Sequence, residues 1–326
     1  MKRVQFNIIS FAILLFLSSC FREEIAVDAH FAGDIISEQV NLESNYKYQI
    51  YYSLREGKII SQNSCTDWDL GFESTKNGYH VILNSSCSMF ALNSGKSDFN
   101  LSYDTNGVRT IGKPDAPNGS LDSTAIGDWR TSNPVYIIDC GFDENGNKRG
   151  FSKIKILNVD NSSYSIRVAN LDGTNEQTFQ ISKDDKYNFQ FLSFNNPITF
   201  PQIEPPKTDW DIMFSHYTDV FYNFDPPMPY MVVSCLTNRY NTLATKDSLI
   251  NFDQIDLDFA KKQTLSTAIN SIGWDWKYFE NNIYTTLPYM NFVIQCQDAS
   301  YYKMHFVDFY SKTGTKGSPK FEYQKL

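Results

Sequence analysis

A seven-residue phrase occurs twice in this chain. Thr66-Asp67-Trp68-Asp69-Leu70-Gly71-Phe72 returns 142 residues later as Thr208-Asp209-Trp210-Asp211-Ile212-Met213-Phe214. Three further echoes follow in the same order. Ser123-Thr124-Ala125-Ile126 returns as Ser266-Thr267-Ala268-Ile269, each leading to an Ile-Gly step and then to tryptophan, Trp129 in one copy and Trp274 and Trp276 in the other. Tyr136-Ile137-Ile138-Asp139-Cys140 returns as Phe292-Val293-Ile294-Gln295-Cys296, and Phe151-Ser152-Lys153-Ile154-Lys155-Ile156 returns as Tyr301-Tyr302-Lys303-Met304-His305-Phe306. The last two offsets are 156 and 150, so the copies differ by insertions between fixed landmarks. A period this long is not that of a solenoid; it implies two related domains.

The patterning inside each copy is that of strands. Asn-Gly pairs begin at 77, 106, 118 and 145, with short aromatic or β-branched runs between them, which is hairpin punctuation. Period two puts Trp68, Leu70 and Phe72 on one face, and Trp210, Ile212 and Phe214 on one face, with the aspartates expected on an opposite, solvated one. Helical periodicity is scarce; residues 257–272 carry one loose apolar stripe, expected to give a short helix or none. The 25 Phe and 20 Tyr favour strands as well. The expected fold is all-β, with two related antiparallel units at 36–195 and 196–326. Four prolines between 197 and 206 interrupt any strand and place the boundary there.

The N-terminus reads as a lipoprotein signal peptide over 1–19. Lys2 and Arg3 precede an apolar stretch that ends in Leu17-Ser18-Ser19-Cys20, too short for a comfortable membrane span. Cleavage there leaves Cys20 as the lipidation site, with several acyl chains (palmitate among them) giving lasting membrane attachment, and a tether over 20–35. Net charge is −8 and no dense Lys/Arg run occurs, so nucleic acid is excluded as a natural partner. Export permits disulfides, and Cys65 and Cys87 flank the turn at Asn77-Gly78, which makes them the expected pair. Five cysteines besides Cys20 leave at least one unpaired, and no Cys/His spacing suggests a metal site.

With the repeat in place, the chain resembles the HmuY family of Bacteroidota surface lipoproteins. The resemblance rests on Trp210-Asp211-Ile212-Met213-Phe214, Ile272-Gly273-Trp274, Tyr302-Lys303-Met304-His305-Phe306 and the ending Phe321-Glu322-Tyr323-Gln324-Lys325-Leu326. The first unit keeps the Trp-Asp and Lys-Ile-Lys-Ile parts and lacks the Phe-Glu-Tyr ending. The acidic Glu23-Glu24 after Cys20 resembles the signal that sends such lipoproteins to the outer face of the outer membrane. The resemblance implies haem held between two axial histidines or methionines, and delivery to a neighbouring TonB-dependent receptor. Between His216 and His305 there is no histidine, which departs from the family's best-known member and leaves Met228, Met231, Met290 and His216 as the candidate axial ligands.

Each candidate also has a plainer explanation. His216 stands where the first copy has Ser74, and it reads equally as a histidine closing the end of a core. Met228 and Met231 lie in the proline-rich stretch 225–231, expected as an ordered loop that lines a pocket or covers a sheet edge. Met304 reads as core and His305 as a solvated residue. The paired aspartates lack an opposed carboxylate or an oxygen-rich loop, and no catalytic signature occurs, so nothing in the sequence calls for an enzyme. Two other functions stay open: a structural or adhesive surface protein that binds a host or envelope macromolecule, and a carbohydrate-capture accessory lipoprotein, which exposed Trp or Tyr platforms would favour, with the burial of Trp129, Trp274 and Trp276 as the discriminating observation.

Overall fold

The computed structural model describes residues 32–326, so the expected signal peptide, Cys20 and most of the tether lie outside the described residues. The first eleven strands are β1 (Ile36–Gln39), β2 (Tyr48–Ser53), β3 (Lys58–Ser64), β4 (Leu70–Glu73), β5 (Val81–Leu83), β6 (Phe90–Asn93), β7 (Tyr136–Asp139), β8 (Phe151–Val159), β9 (Ser163–Ala169), β10 (Gln177–Ser182) and β11 (Phe189–Leu192). After a strand-free run through the prolines come β12 (Ile212–Phe221), β13 (Met228–Thr237) and β14 (Leu243–Asp247). A five-residue helix follows, α1 (Leu257–Lys261), capped by the Asp256 carboxylate accepting from the Phe259 amide. The remaining strands are β15 (Lys277–Glu280), β16 (Ile283–Thr286), β17 (Asn291–Gln295), β18 (Tyr301–Tyr310) and β19 (Lys316–Lys325). Among the described residues no helix is long and apolar enough to cross a membrane. The fold is all-β and antiparallel.

The strands form two five-stranded sheets, β10-β9-β8-β7-β6 and β1-β19-β18-β17-β14, and two smaller ones, β11-β4-β5 and β13-β12-β2-β3, with β15-β16 as a separate hairpin. Each half therefore pairs a large sheet with a small one in which the strand after Trp-Asp is flanked by two neighbours. The second half is completed from the N-terminus. β1 pairs with β19, and β2 pairs with β12 through Ile212–Tyr52 and Phe214–Ile50. In the first half β10 and β11 hold those places. The unit expected at 36–195 is thus not a contiguous stretch, because its first three strands belong to the sheets of the other half.

Within each half the large and small sheets pack face to face. Leu70, Phe72, Val81 and Leu83 meet Ile138, Ile154, Ile166 and Val168 in one core. Ile50, Tyr52, Ile212 and Phe214 meet Ile294, Met304, Phe306 and Phe321 in the other. Each such side chain, taken fully out of water, contributes about 1.5–3 kcal/mol. The small sheets are covered on their second faces too, by a cluster of Tyr51, Trp68, Phe189, Phe191, Ile203 and Trp210. Loops close the outer faces of the large sheets. Lys153, fully buried in β8, donates to the Phe99 and Leu101 carbonyls of one covering loop at 2.9 and 2.8 Å. Lys303, its counterpart in β18, donates to the Phe252 and Ile255 carbonyls of the other at 2.8 and 3.1 Å. Both ammonium groups exchange water for two carbonyls, which is what lets a lysine sit inside a sheet.

Candidate functional site

The doubled phrase builds the junction between the halves. The chain bends at Trp68-Asp69 before β4 begins, so Trp68 leaves the face of Leu70 and Phe72 and joins the cluster that contains Trp210. The shared face expected from period two holds only for the residues inside the strands. Asp69 and Asp211 are also not on a solvated face; both are fully buried. Asp211 accepts from the Leu54 amide at 2.9 Å and from Arg55 Nε at 3.1 Å. Asp69 accepts from the Phe194 amide at 2.7 Å and pairs with Arg149 at 2.6 Å. Burial pushes the Asp69 carboxyl above its usual range even though Arg149 opposes the shift. Asn84 and Asn238 complete the motif, each donating to the carbonyl of its tryptophan, Trp68 at 2.7 Å and Trp210 at 2.9 Å. The carboxylates are structural clamps.

The four candidate haem ligands do not converge on one cavity. Met228 and Met231 lie in strand β13, where a loop was expected. The register puts Met231 opposite Thr218 and His216 opposite Val233, so His216 and Met231 point off the same face of the β12–β13 ribbon, and Met228, opposite Phe221, points off the other. Two side chains leaving one sheet face run parallel, and cannot approach an iron from opposite sides as axial ligands must. His216 is buried, edge-on to the Tyr46 ring at 6.4 Å, and its Nε2 has no hydrogen-bond partner among the described residues. Met290 packs half-buried against the second core. His305 is not solvated. It stacks on Phe252 with centroids 4.1 Å apart, and its Nε2 lies 3.2 Å from Glu322 Oε2.

The second half carries two neighbouring hairpins with uncovered aromatic side chains. At the β12–β13 tip Tyr222 and Tyr230 are 72% and 54% exposed, and Phe224 is exposed as well. Tyr230 stacks on Phe221, which in turn packs on Trp274, while Trp274 Nε1 donates to Asp219 at 2.6 Å. Met228 shares that face. On and beside β15–β16, Tyr278, Phe279, Ile283 and Tyr289 are exposed. Lys277 joins the bases of the two hairpins by donating to the Val233 carbonyl at 2.6 Å, under the rings of Trp276 and Phe309. Burial holds its ammonium down to about 7. Exposed aromatic side chains grouped on two hairpins linked at their bases mark a place where something docks. The sequence concealed it because Tyr and Phe are as frequent in the cores as here.

Cys65 and Cys87 do not form the expected disulfide in this structure. All five cysteines among the described residues are free and buried, with the Cys87 thiol donating to the Cys65 carbonyl at 3.3 Å. The thiol contact with Cys87, with His216 adding to it, pulls the Cys65 thiol below the usual range. Trp129 and Trp276 are buried and Trp274 is half-buried, so these three tryptophans form no exposed platform; the exposed aromatic rings are the tyrosines and phenylalanines of the two hairpins. One cavity of about 120 Å³ lies between the small sheets, lined by both repeated tryptophans and by none of Met228, Met231, Met290 or His216. Sequence periodicity did not reveal it, since the spacing of a strand does not show which other sheet covers its back.

Comparison with known proteins places this geometry in context. The family described as HmuY protein matches residues 45–323, one match that runs through both halves. Among solved structures, the apo HmuY analogue of Tannerella forsythia aligns over 91% of this chain and 99% of its own, with 10% identity and a TM-score of 0.33. Apo PinO from Porphyromonas gingivitis aligns over 90% and 97%, with 10% identity and a TM-score of 0.33. A Bacteroides vulgatus protein described as HmuY-like and haem-binding aligns over 90% and 97%, with 10% identity and a TM-score of 0.19. No curated protein matches the chain.

Proposed function

The chain belongs to the HmuY family, and from that premise we propose that it is a non-catalytic capture protein, anchored through Cys20 to the outer face of the outer membrane, whose cargo is haem. The observation that carries this is the pair of aromatic hairpins at β12–β13 and β15–β16. A porphyrin is a flat apolar plate, and stacked or edge-on aromatic rings are the surface it prefers. The cavity between the small sheets is far too small for it; pockets for ligands of that size run to several hundred Å³. Met228 is the sulfur on the open side, two residues from Tyr230 on one strand face, and a thioether there favours the reduced iron. His216 and Met231 support the ribbon from its core side. The carboxylates of Asp69 and Asp211 are taken up by backbone amides and arginines of the scaffold. Cargo held at an open edge is accessible to a TonB-dependent receptor, which we take as the partner.

Haemin titration followed at the Soret band tests this. A saturable shift at micromolar protein is expected, with Met228→Ala weakening affinity about tenfold, which corresponds to about 1.4 kcal/mol, and His216→Ala leaving the spectrum unchanged. No shift at micromolar protein sinks the proposal.

A further inference from the structure

The two halves are built alike at their junction except at the cavity wall. Trp68 Nε1 donates to Gln49 Oε1 at 2.8 Å, across from its own half to β2 of the other. In the ladder, the Asp211 amide bonds the Tyr52 carbonyl just as the Asp69 amide bonds the Leu192 carbonyl. Counting back along β2 and β11 from these equivalent residues, the position of Gln49 corresponds to Phe189. Trp210 therefore has a phenylalanine at the position where Trp68 meets an amide, and its Nε1 has no partner among the described residues although the residue is only 5% exposed. An orphaned donor of this kind costs about 1–3 kcal/mol unless something accepts from it. A second difference lies beside it. Arg239 follows Asn238 as Ser85 follows Asn84, and it lies over the Phe189 ring at 5.0 Å, with one hydrogen bond among the described residues, from Nη1 to the Gly119 carbonyl at 3.0 Å.

The wall thus offers a free indole donor beside a guanidinium, while its two carboxylates already accept from the protein. Glu204 accepts from the Phe189 amide at 2.8 Å and Asn188 Nδ2 at 3.1 Å, and Asp115 from the Leu83 and Ala125 amides, both at 2.7 Å. These two carboxylates share the cavity with Arg239; burial raises them, Asp115 to about 6 and Glu204 to about 7, and their remaining charge offsets the guanidinium, so a further anion gains little there. We propose that the cavity between the small sheets is a second binding site, independent of the haem surface, for a small, flat, uncharged molecule with a hydrogen-bond acceptor on its edge, such as a nitrogen heterocycle, the acceptor being taken by Trp210 Nε1. A volume of about 120 Å³ suits a single six-membered ring, since a dry cavity of about 150 Å³ takes benzene.

The test uses the whole chain with its five tryptophans labelled with nitrogen-15 at the indole, and pyridine and benzene as isosteric probes. Pyridine at millimolar concentration is expected to move one indole N–H resonance, which is missing in Trp210→Phe, and benzene to leave that resonance in place. Phe189→Gln restores the bond that Trp68 has, and is expected to move the same resonance without ligand and to abolish the response to pyridine. The inference is overturned if no indole resonance responds to pyridine, if the responding resonance survives in Trp210→Phe, or if benzene moves it equally. A failed haemin titration leaves these outcomes untouched.

Discussion

Lys277 shows what a single residue costs and fixes. Its ammonium has no carboxylate within ion-pair distance among the described residues, is held by the Val233 carbonyl, and is kept down to about 7 by burial against the usual 10.5. The folded state therefore releases this proton where the unfolded chain keeps it, so stability rises with pH between about 7 and 10.5. Denaturant unfolding of wild type and Lys277→Met at pH 7 and pH 9 should show wild type gaining on the variant by up to about 1.4 kcal/mol per pH unit; a pH-independent difference would remove Lys277 as the cause. Asp211 works the other way, by satisfying others. Asp211→Ala strands the Leu54 amide and leaves Arg55 half-buried and unpaired, so a loss of about 3–5 kcal/mol is expected in chemical denaturation, with Asp211→Asn losing less because it keeps an acceptor. Both roles were hidden in the sequence. Asp69 and Asp211 look solvated because alternation assigns them to the face opposite the core, and only the second layer of packing turns that face into an interior.

At the level of strands, the hairpins at Asn77-Gly78 and Asn145-Gly146 and the short helix at the start of 257–272 were legible, because local turn chemistry and a capping Asp set them. The pairing of β1 and β2 with the far end of the chain was not, since contacts of that separation leave no local signal. They have a direct consequence. The Gly33 amide donates to the Lys325 carbonyl at 2.9 Å, so the strands that complete the second half begin beside the C-terminus. A circular permutant that opens between Ser64 and Cys65 and joins Leu326 to residue 33 by a short linker should fold, with wild-type far-UV circular dichroism and one cooperative melt, while a chain simply lacking 33–64 should not, as β12 and β19 would each lose a partner strand. A truncated chain that melts like wild type would show that β1 and β2 are ornaments.

For the molecule as a whole, the repeated phrase marks the scaffold and also the seam. Its tryptophans meet where the small sheets lie back to back, and the residues that break the likeness of the halves, Phe189 and Arg239 at the seam and the aromatic hairpins on the second half, are where binding is proposed. The HmuY resemblance is carried by structural motifs, which is why fold was legible and ligand residues were not: Met228, Met231, Met290 and His216 share only a residue chemistry that can bind iron, and strand register separates Met228 from the other two on its ribbon. Hydrogen exchange with and without haemin, read by mass spectrometry, tests the location of binding most directly. Haemin is expected to slow exchange across 219–232 and 277–290 and to leave β11 unchanged; protection confined to β11 and the other cavity strands, or none anywhere, would contradict capture by the hairpins.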